Sequence, residues 1–231
     1  MSRVTFDLRE NIAVIAMDDG KANALGHAMM DEVGAALTRA ESEAAAVVLT
    51  GRKGKFSAGF DLAEMMGGAA AVRAMVSRGG DFLTRLYALP MPLVVACSGH
   101  ALAGGALLVL TGDVRVAARG AFRIGLNEVQ LGLPLPILGV ELARDRLDPA
   151  HLTAATLFAD IADPERALTV GWVDELSSEE GLLDAALTHA RRLSVLPRGA
   201  YGKTKARLRG PTLRYIRDTL AEDIDSLTPA P

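Results

Sequence analysis

Apolar positions along the chain follow two rhythms, one of short continuous runs and one of helical spacing. Val4 to Leu8 and Ile12 to Met17 flank the polar triplet Arg9-Glu10-Asn11 and read as two strands joined by a turn. Asp18-Asp19-Gly20 breaks the pattern. From His27 to Ala40 the apolar residues Met29, Met30, Val33, Ala36 and Leu37 recur at the spacing of one helix face. Ala45 to Thr50 is a wholly apolar strand ending at Gly51, and the basic loop Gly51-Arg52-Lys53-Gly54-Lys55 follows. A second cycle repeats this order. A long helix from Ala69 to Ala88 stops before Pro90 and Pro92, and Leu93 to Cys97 is another buried strand. Ser98-Gly99 reads as a turn, Gly104-Gly105 opens an apolar helix ending near Thr111, and Asp113 to Ala117 is again a strand.

The C-terminal third is mostly helical. Helices from Pro149 to Ala159 and from Pro164 to Val170 each begin with proline just after an aspartate, Asp148 or Asp163. Trp172 to Leu176 reads as a short strand and Glu179 to Leu196 as a helix. From Arg198 to Arg217 the tail is basic, and beyond that acidic. Strands that are apolar at every position need cover on both faces, which predicts a layered α/β core wound as a spiral. The expected division is a core over residues 1–190 and a helical C-terminal section over 191–231.

Composition narrows the classes. Half of the 231 residues are hydrophobic but only 4% are aromatic, so the core is aliphatic. A formal charge of −3 gives no general attraction to nucleic acid or to a membrane surface. The longest apolar stretch, Ala101 to Leu110, has half the roughly 20 residues of a membrane span, and the charged N-terminus does not read as a secretory signal. The expectation is a soluble, cytoplasmic protein. The single cysteine, Cys97, excludes an internal disulfide and reads as a small core hydrophobe. His27, His100, His151 and His189 share no metal-ligand spacing with carboxylates or cysteine, so no metal is expected.

Candidate chemistry lies in two glycine elbows that each lead from a strand into a helix: Ala58-Gly59-Phe60-Asp61 and Ala101-Leu102-Ala103-Gly104-Gly105. Helix starts carry N–H groups without intrahelical acceptors, and glycine lets a ligand approach the backbone. If both turns face one point, their amides can grip the oxygen of a thioester carbonyl as it becomes an enolate, where each donor contributes about 3–4 kcal/mol. Each elbow alone is also ordinary punctuation, and Asp61 reads first as a helix N-cap.

Four segments together resemble the crotonase (enoyl-CoA hydratase/isomerase) superfamily: Phe56 to Leu62 (FSAGFDL), Ser98 to Ala106 (SGHALAGGA) with Thr111 to Ala117 (TGDVRVA), Ile124 to Leu133 (IGLNEVQLGL) and Gly171 to Leu176 (GWVDEL). The resemblance implies a crotonase (ClpP-like) spiral of repeated ββα units in two sheets. It also implies C-terminal helices that trimerise and cover the coenzyme A site, so that a homotrimer or a dimer of trimers is expected. It places Phe60 and Gly104 at the two oxyanion donors and Ala58 at a carbonyl that meets the adenine amino group of coenzyme A. Glu128 stands at one of the two glutamate positions of the hydratases; the other is Leu107. Coenzyme A enters as part of an acyl-CoA substrate, with no permanently bound cofactor. Lys53 and Lys55, or Lys203 and Lys205, are candidates for its phosphates, with solvated surface lysines as the alternative. His100 reads as structural or as a rim residue.

Hydration must place a water and handle a second proton, for which two carboxylates suit. Moving a double bond from β,γ to α,β needs one, provided an apolar pocket raises its pKa towards neutrality. Leu107, Leu126, Val129 and Leu131 are candidates for that pocket. IGLNEVQLG also resembles the isomerase branch, whereas Leu133-Pro134-Leu135-Pro136-Ile137 departs from the glycine-rich segment that hydratases carry after this glutamate. The expected activity is an enoyl-CoA isomerase of fatty-acid metabolism. The alternatives are a hydratase or another crotonase-type lyase, a protein that binds acyl-CoA without turnover, and a purely structural Glu128.

Overall fold

The strand residues that are apolar at every position prove to be covered on both sides. In the computed structural model, which describes residues 2–227, β1 (Val4–Arg9) and β2 (Ile12–Met17) form an antiparallel hairpin. Then β3 (Ala46–Thr50), β5 (Leu93–Cys97), β7 (Val114–Ala118) and β9 (Glu175–Ser177) add in parallel, giving a six-stranded sheet in the order β1-β2-β3-β5-β7-β9. Because side chains alternate across a strand, Ile12, Val14, Val48, Val94, Ala96 and Val116 fall on one face. There they pack against Leu182, Ala186, Leu187 and Ala190 of helix α8 (Leu182–Ser194). Ala13, Ile15, Val47, Leu49, Val95 and Cys97 fall on the other face, in the main core. There they join helix α1 (His27–Glu43), helix α3 (Ala69–Tyr87) and helix α4 (Gly104–Leu110). Cys97 lies buried in this core, as expected, and burial pushes its thiol up to about 12.

A second sheet, β4 (Gly54–Ser57), β6 (Gly99–Leu102) and β8 (Ile124–Gly125), is parallel and three-stranded. The sequence pattern assigns Gly51 to Lys55 to a loop and Ser98-Gly99 to a turn, yet Gly54, Lys55 and Gly99 are strand residues. The reason is close backbone approach. Gly54 pairs with Gly99, and a Cβ at Gly99 would collide with the Gly54 backbone. Glycine is what allows this pair to form, and glycine is also what hides it from a pattern search.

Smaller differences follow the same logic. The strand expected at Trp172 to Leu176 is β9, shifted to Glu175–Ser177, while Trp172 is a fully buried core side chain. The helix after Asp148 is shorter than expected, α6 (Leu152–Thr156), because Asp148 first holds the Ala150 amide in a turn. Asp163 caps α7 (Pro164–Val170) as expected, accepting from Arg166 N at 2.8 Å. An additional helix, α5 (Ile137–Arg146), follows the Leu-Pro-Leu-Pro segment. The C-terminal element is α9 (Arg198–Leu227), which runs through Pro211 and packs on α3 and α5. The expected boundary at 190/191 falls inside α8, and residues 228–231 of the C-terminal section lie outside the described residues. The whole is the expected α/β spiral with a helical C-terminal region. Among the described residues no helix is long and apolar enough to cross a membrane.

Candidate active site

Both glycine elbows leave the three-stranded sheet at the C-terminal ends of its strands, for a simple reason. β4 and β6 are parallel neighbours, and their register pairs Ser57 with Ala101, so the segments that follow leave the sheet side by side. The first continues as Ala58-Gly59-Phe60 into the short helix α2 (Leu62–Met65), which Asp61 caps by accepting from Ala63 N at 2.9 Å. The second continues through Ala103 into α4. Gly59 holds a φ of +91°, and a Cβ there would meet Leu102 O at 2.9 Å and Gly104 N at 3.0 Å, so only glycine fits between the elbows. A Cβ at Gly104 would lie 3.4 Å from Phe60 N. The amides of Phe60 and Gly104 therefore belong to one locus.

The backbone keeps the second amide available. Ala103 O accepts from Ala106 N at 2.9 Å and Leu107 N at 3.1 Å, which starts the helix beyond Gly104 and leaves the Gly104 amide ahead of the first intrahelical bond. Ala103 itself takes a φ of 50° and a ψ of −125°, a conformation unfavourable for a residue with a Cβ. The Phe60 ring is received by Gly79 of α3, where any side chain would overlap it.

Next to these amides lies a cavity of about 210 Å³. Ala58, Phe60 and Glu128 line it, so three of the sequence-derived site residues reach one space; on the second elbow it is Ala103, not Gly104 itself, that lines it. Leu107 and Leu131 form part of its apolar wall. Leu126 is instead buried in the core, and Val129 is exposed outside it. Further walls come from residues that the sequence reading did not single out: Val72 and Val76 of α3, Pro134, Leu138 of α5, and Leu227 at the end of α9. Met65 of α2 lines the pocket beside Val72 and Val76.

Glu128 opens a single 3₁₀ turn (Val129–Leu131), and its carbonyl accepts from Leu131 N at 2.9 Å and Leu133 N at 3.0 Å. Gln130 ties this turn to Ala159 O at 2.9 Å. The Glu128 side chain is held by no other side chain. Its Oε2 is buried without a hydrogen-bond donor, as is Oδ1 of the adjacent Asn127, which also lines the cavity. Burial pushes the Glu128 carboxyl above its ordinary value, opposed only by backbone amides of Glu128 and Asn127.

The remaining candidates lie elsewhere. Lys53 is 77% exposed and pairs with Glu179 at 3.1 Å. Lys55 is exposed on β4, in register with His100. His100 accepts from Arg123 N at 3.1 Å, and partial burial with Lys55 and Arg123 nearby lowers its pKa. Lys203 is exposed on α9. Lys205 is not available to a phosphate: it is buried and pairs with Asp113 at 2.8 Å.

The model of one family, described as enoyl-CoA hydratase/isomerase, matches residues 7–227. The chain belongs to that family. It is 33% identical over 211 residues to the human mitochondrial enoyl-CoA delta isomerase 1, covering 89% of this chain and 70% of that protein. It is 34% identical over 202 residues to a probable enoyl-CoA hydratase of Mycobacterium avium, covering 84% and 77%. Among solved structures, an enoyl-CoA hydratase/isomerase family protein from Pseudomonas syringae superposes with a TM-score of 0.95 at 36% identity, over 97% of this chain and 98% of that one. The hydratase/isomerase fold assignment thus holds over nearly the full chain, while relatives at similar identity carry both reaction names.

Proposed function

We propose that this chain is an enoyl-CoA isomerase that converts a 3-enoyl-CoA into a trans-2-enoyl-CoA. One observation carries the reading: among the described residues Glu128 is the sole titratable side chain lining a cavity that is apolar apart from Asn127, beside the elbows, and Leu107 fills the wall where a second carboxylate would be required for hydration. Phe60 N–H and Gly104 N–H hold the thioester oxygen and stabilise the dienolate. Glu128, its pKa raised by burial, removes a proton from the α-carbon and returns it at the γ-carbon. Leu107 excludes the second acid that would orient a water.

For the coenzyme A moiety, the Ala58 carbonyl meets the adenine amino group. Of the two loop lysines we assign Lys55 to a phosphate, since Lys53 pairs with Glu179. The test offers purified protein a 3-enoyl-CoA and a trans-2-enoyl-CoA in parallel and identifies the products. Rapid formation of the trans-2 isomer from the first supports the reading. A 3-hydroxyacyl-CoA formed at a high rate from the second, with little isomerisation, replaces it with a hydratase. Tight acyl-CoA binding without turnover replaces it with a binding protein.

A further inference from the structure

An acceptor buried without a donor keeps the full cost of its lost hydration, and Asn127 Oδ1 and Glu128 Oε2 are two such acceptors on consecutive residues lining one cavity. No other side chain in the lining is a donor. The walls facing Glu128 from α2, α3, α4, α5 and α9 are Leu62 and Met65, Val76, Leu107, Leu138 and Leu227, with no donor side chain and no charged or titratable group. One proton removes both deficits. Placed on the Glu128 carboxyl it creates an O–H donor, and the amide oxygen of Asn127, the preceding residue in the same lining, is an acceptor without a partner.

We propose that Asn127 is a positioning residue for the proton that Glu128 carries, its amide oxygen accepting a hydrogen bond from the neutral Glu128 carboxyl. The proposal rests on the isomerase reading above. In the first half-reaction the Cα–H bond breaks, a Glu128 oxygen gains the proton and the electron pair passes into the dienolate. The Glu128 O–H then donates to Asn127, which holds the proton inside the cavity. In the second half-reaction the O–H bond breaks, a Cγ–H bond forms, the double bond settles between Cα and Cβ, and the thioester carbonyl is restored. No other reactant enters. An amide suits this role because it accepts a hydrogen bond at any working pH and never competes for the proton. A bond to the neutral form also favours that form, adding to the effect of burial on Glu128.

The experiment compares the parent enzyme with Asn127→Ala and Asn127→Asp, measuring kcat/KM for a 3-enoyl-CoA against pH and, in D₂O, the share of γ-carbon hydrogen that comes from solvent. Turnover requires ionised Glu128, so the acidic limb of kcat/KM reports its pKa in the free enzyme. Asn127→Ala removes the acceptor and should move that limb to lower pH by about one unit, with more solvent deuterium at the γ-carbon. Asn127→Asp is nearly isosteric and places two carboxylates around one proton, so its limb should move to higher pH. Opposite displacements from one position are not what a loosened fold produces, and thermal melts of both variants verify folding. An acidic limb unmoved in both variants, or unchanged deuterium incorporation in Asn127→Ala, overturns the proposal while leaving the isomerase reading intact. A parent enzyme that does not isomerise the substrate overturns both.

Discussion

Glu128 and Asp113 are both carboxylates drawn largely out of solvent, and the chain treats them in opposite ways. Asp113, only 11% exposed, accepts from Leu93 N and Lys205 Nζ, each at 2.8 Å, and pairs with Arg209 at 2.9 Å. Arg209 continues to the carbonyls of Tyr87 and Thr111 and stacks on the Tyr87 ring at 4.0 Å, while Lys205 reaches Met91 O. The cluster fastens α9 to the start of β5 and the end of α4. Burial still pulls Lys205 down to about 8, with Asp113 alongside, so the pair does little more than break even against its own desolvation. Glu128 has no cation and no side-chain donor. A charge that is buried and matched on every side fixes geometry, whereas one that is buried and left without a cation holds a proton more readily than in water, which favours proton transfer.

Breaking each carboxylate should therefore produce opposite phenotypes. The largest effect is expected from Glu128→Gln, which keeps shape and removes the proton carrier. Isomerisation should fall on the order of 10³–10⁴-fold, with affinity for the acyl-CoA product largely retained in equilibrium binding. A variant of unchanged rate would remove Glu128 from the mechanism.

Asp113→Ala should leave the site chemistry in place but strip Lys205 and Arg209 of their anion. Two buried cations without a partner make this a loss of about 3–5 kcal/mol in unfolding free energy, readable by urea titration. A loss under 1 kcal/mol would show that solvent reaches the cluster easily and that the contrast with Glu128 is overdrawn. Leu107→Glu sharpens the contrast from the other side, by giving Glu128 a charged neighbour. The like charge should raise the acidic limb of the pH–rate profile and cost about 1–3 kcal/mol of stability for a polar group placed against apolar walls. Measurable 3-hydroxyacyl-CoA formation in this variant would mark Leu107 as a reaction-determining position.

Much of the scaffold for this comparison is legible in the chain itself. Ile12 to Met17, Val47 to Leu49 and Leu93 to Cys97 are apolar on both faces, and that pattern has few solutions besides a covered parallel sheet. The elbows are legible as glycines, but their meeting is not. It depends on the Ser57–Ala101 register of β4 and β6, and Gly-Lys-Phe-Ser and Gly-His-Ala-Leu carry too little alternation to announce strands. Helix α5 is hidden by the prolines before it, although Leu138, Gly139, Leu142 and Ala143 make a buried stripe. Glu128 stands out by resemblance alone. Asn127 and Leu227 acquire meaning only once a cavity brings them beside it, and the Lys205 side chain, basic in a basic tail, gives no sign in sequence that it is a core residue.

The smallest effect is the most direct measure of what the unmatched carboxylate costs. In the unfolded chain Glu128 ionises near 4.5, and in the fold burial holds it higher. Between those two values the native state keeps a proton that the unfolded chain has released. Its contribution to stability is thus complete below pH 4.5 and is lost as pH rises through the folded value. Glu128→Gln has no proton to lose. The variant should match the parent at pH 4 and exceed it at pH 8. Melting curves of the two proteins at several pH values give the difference directly, free of pH effects common to both. Parallel curves over the whole range would mean that Glu128 is as well solvated in the fold as outside it, and the distinction from Asp113 would then rest on the cations around Asp113 alone.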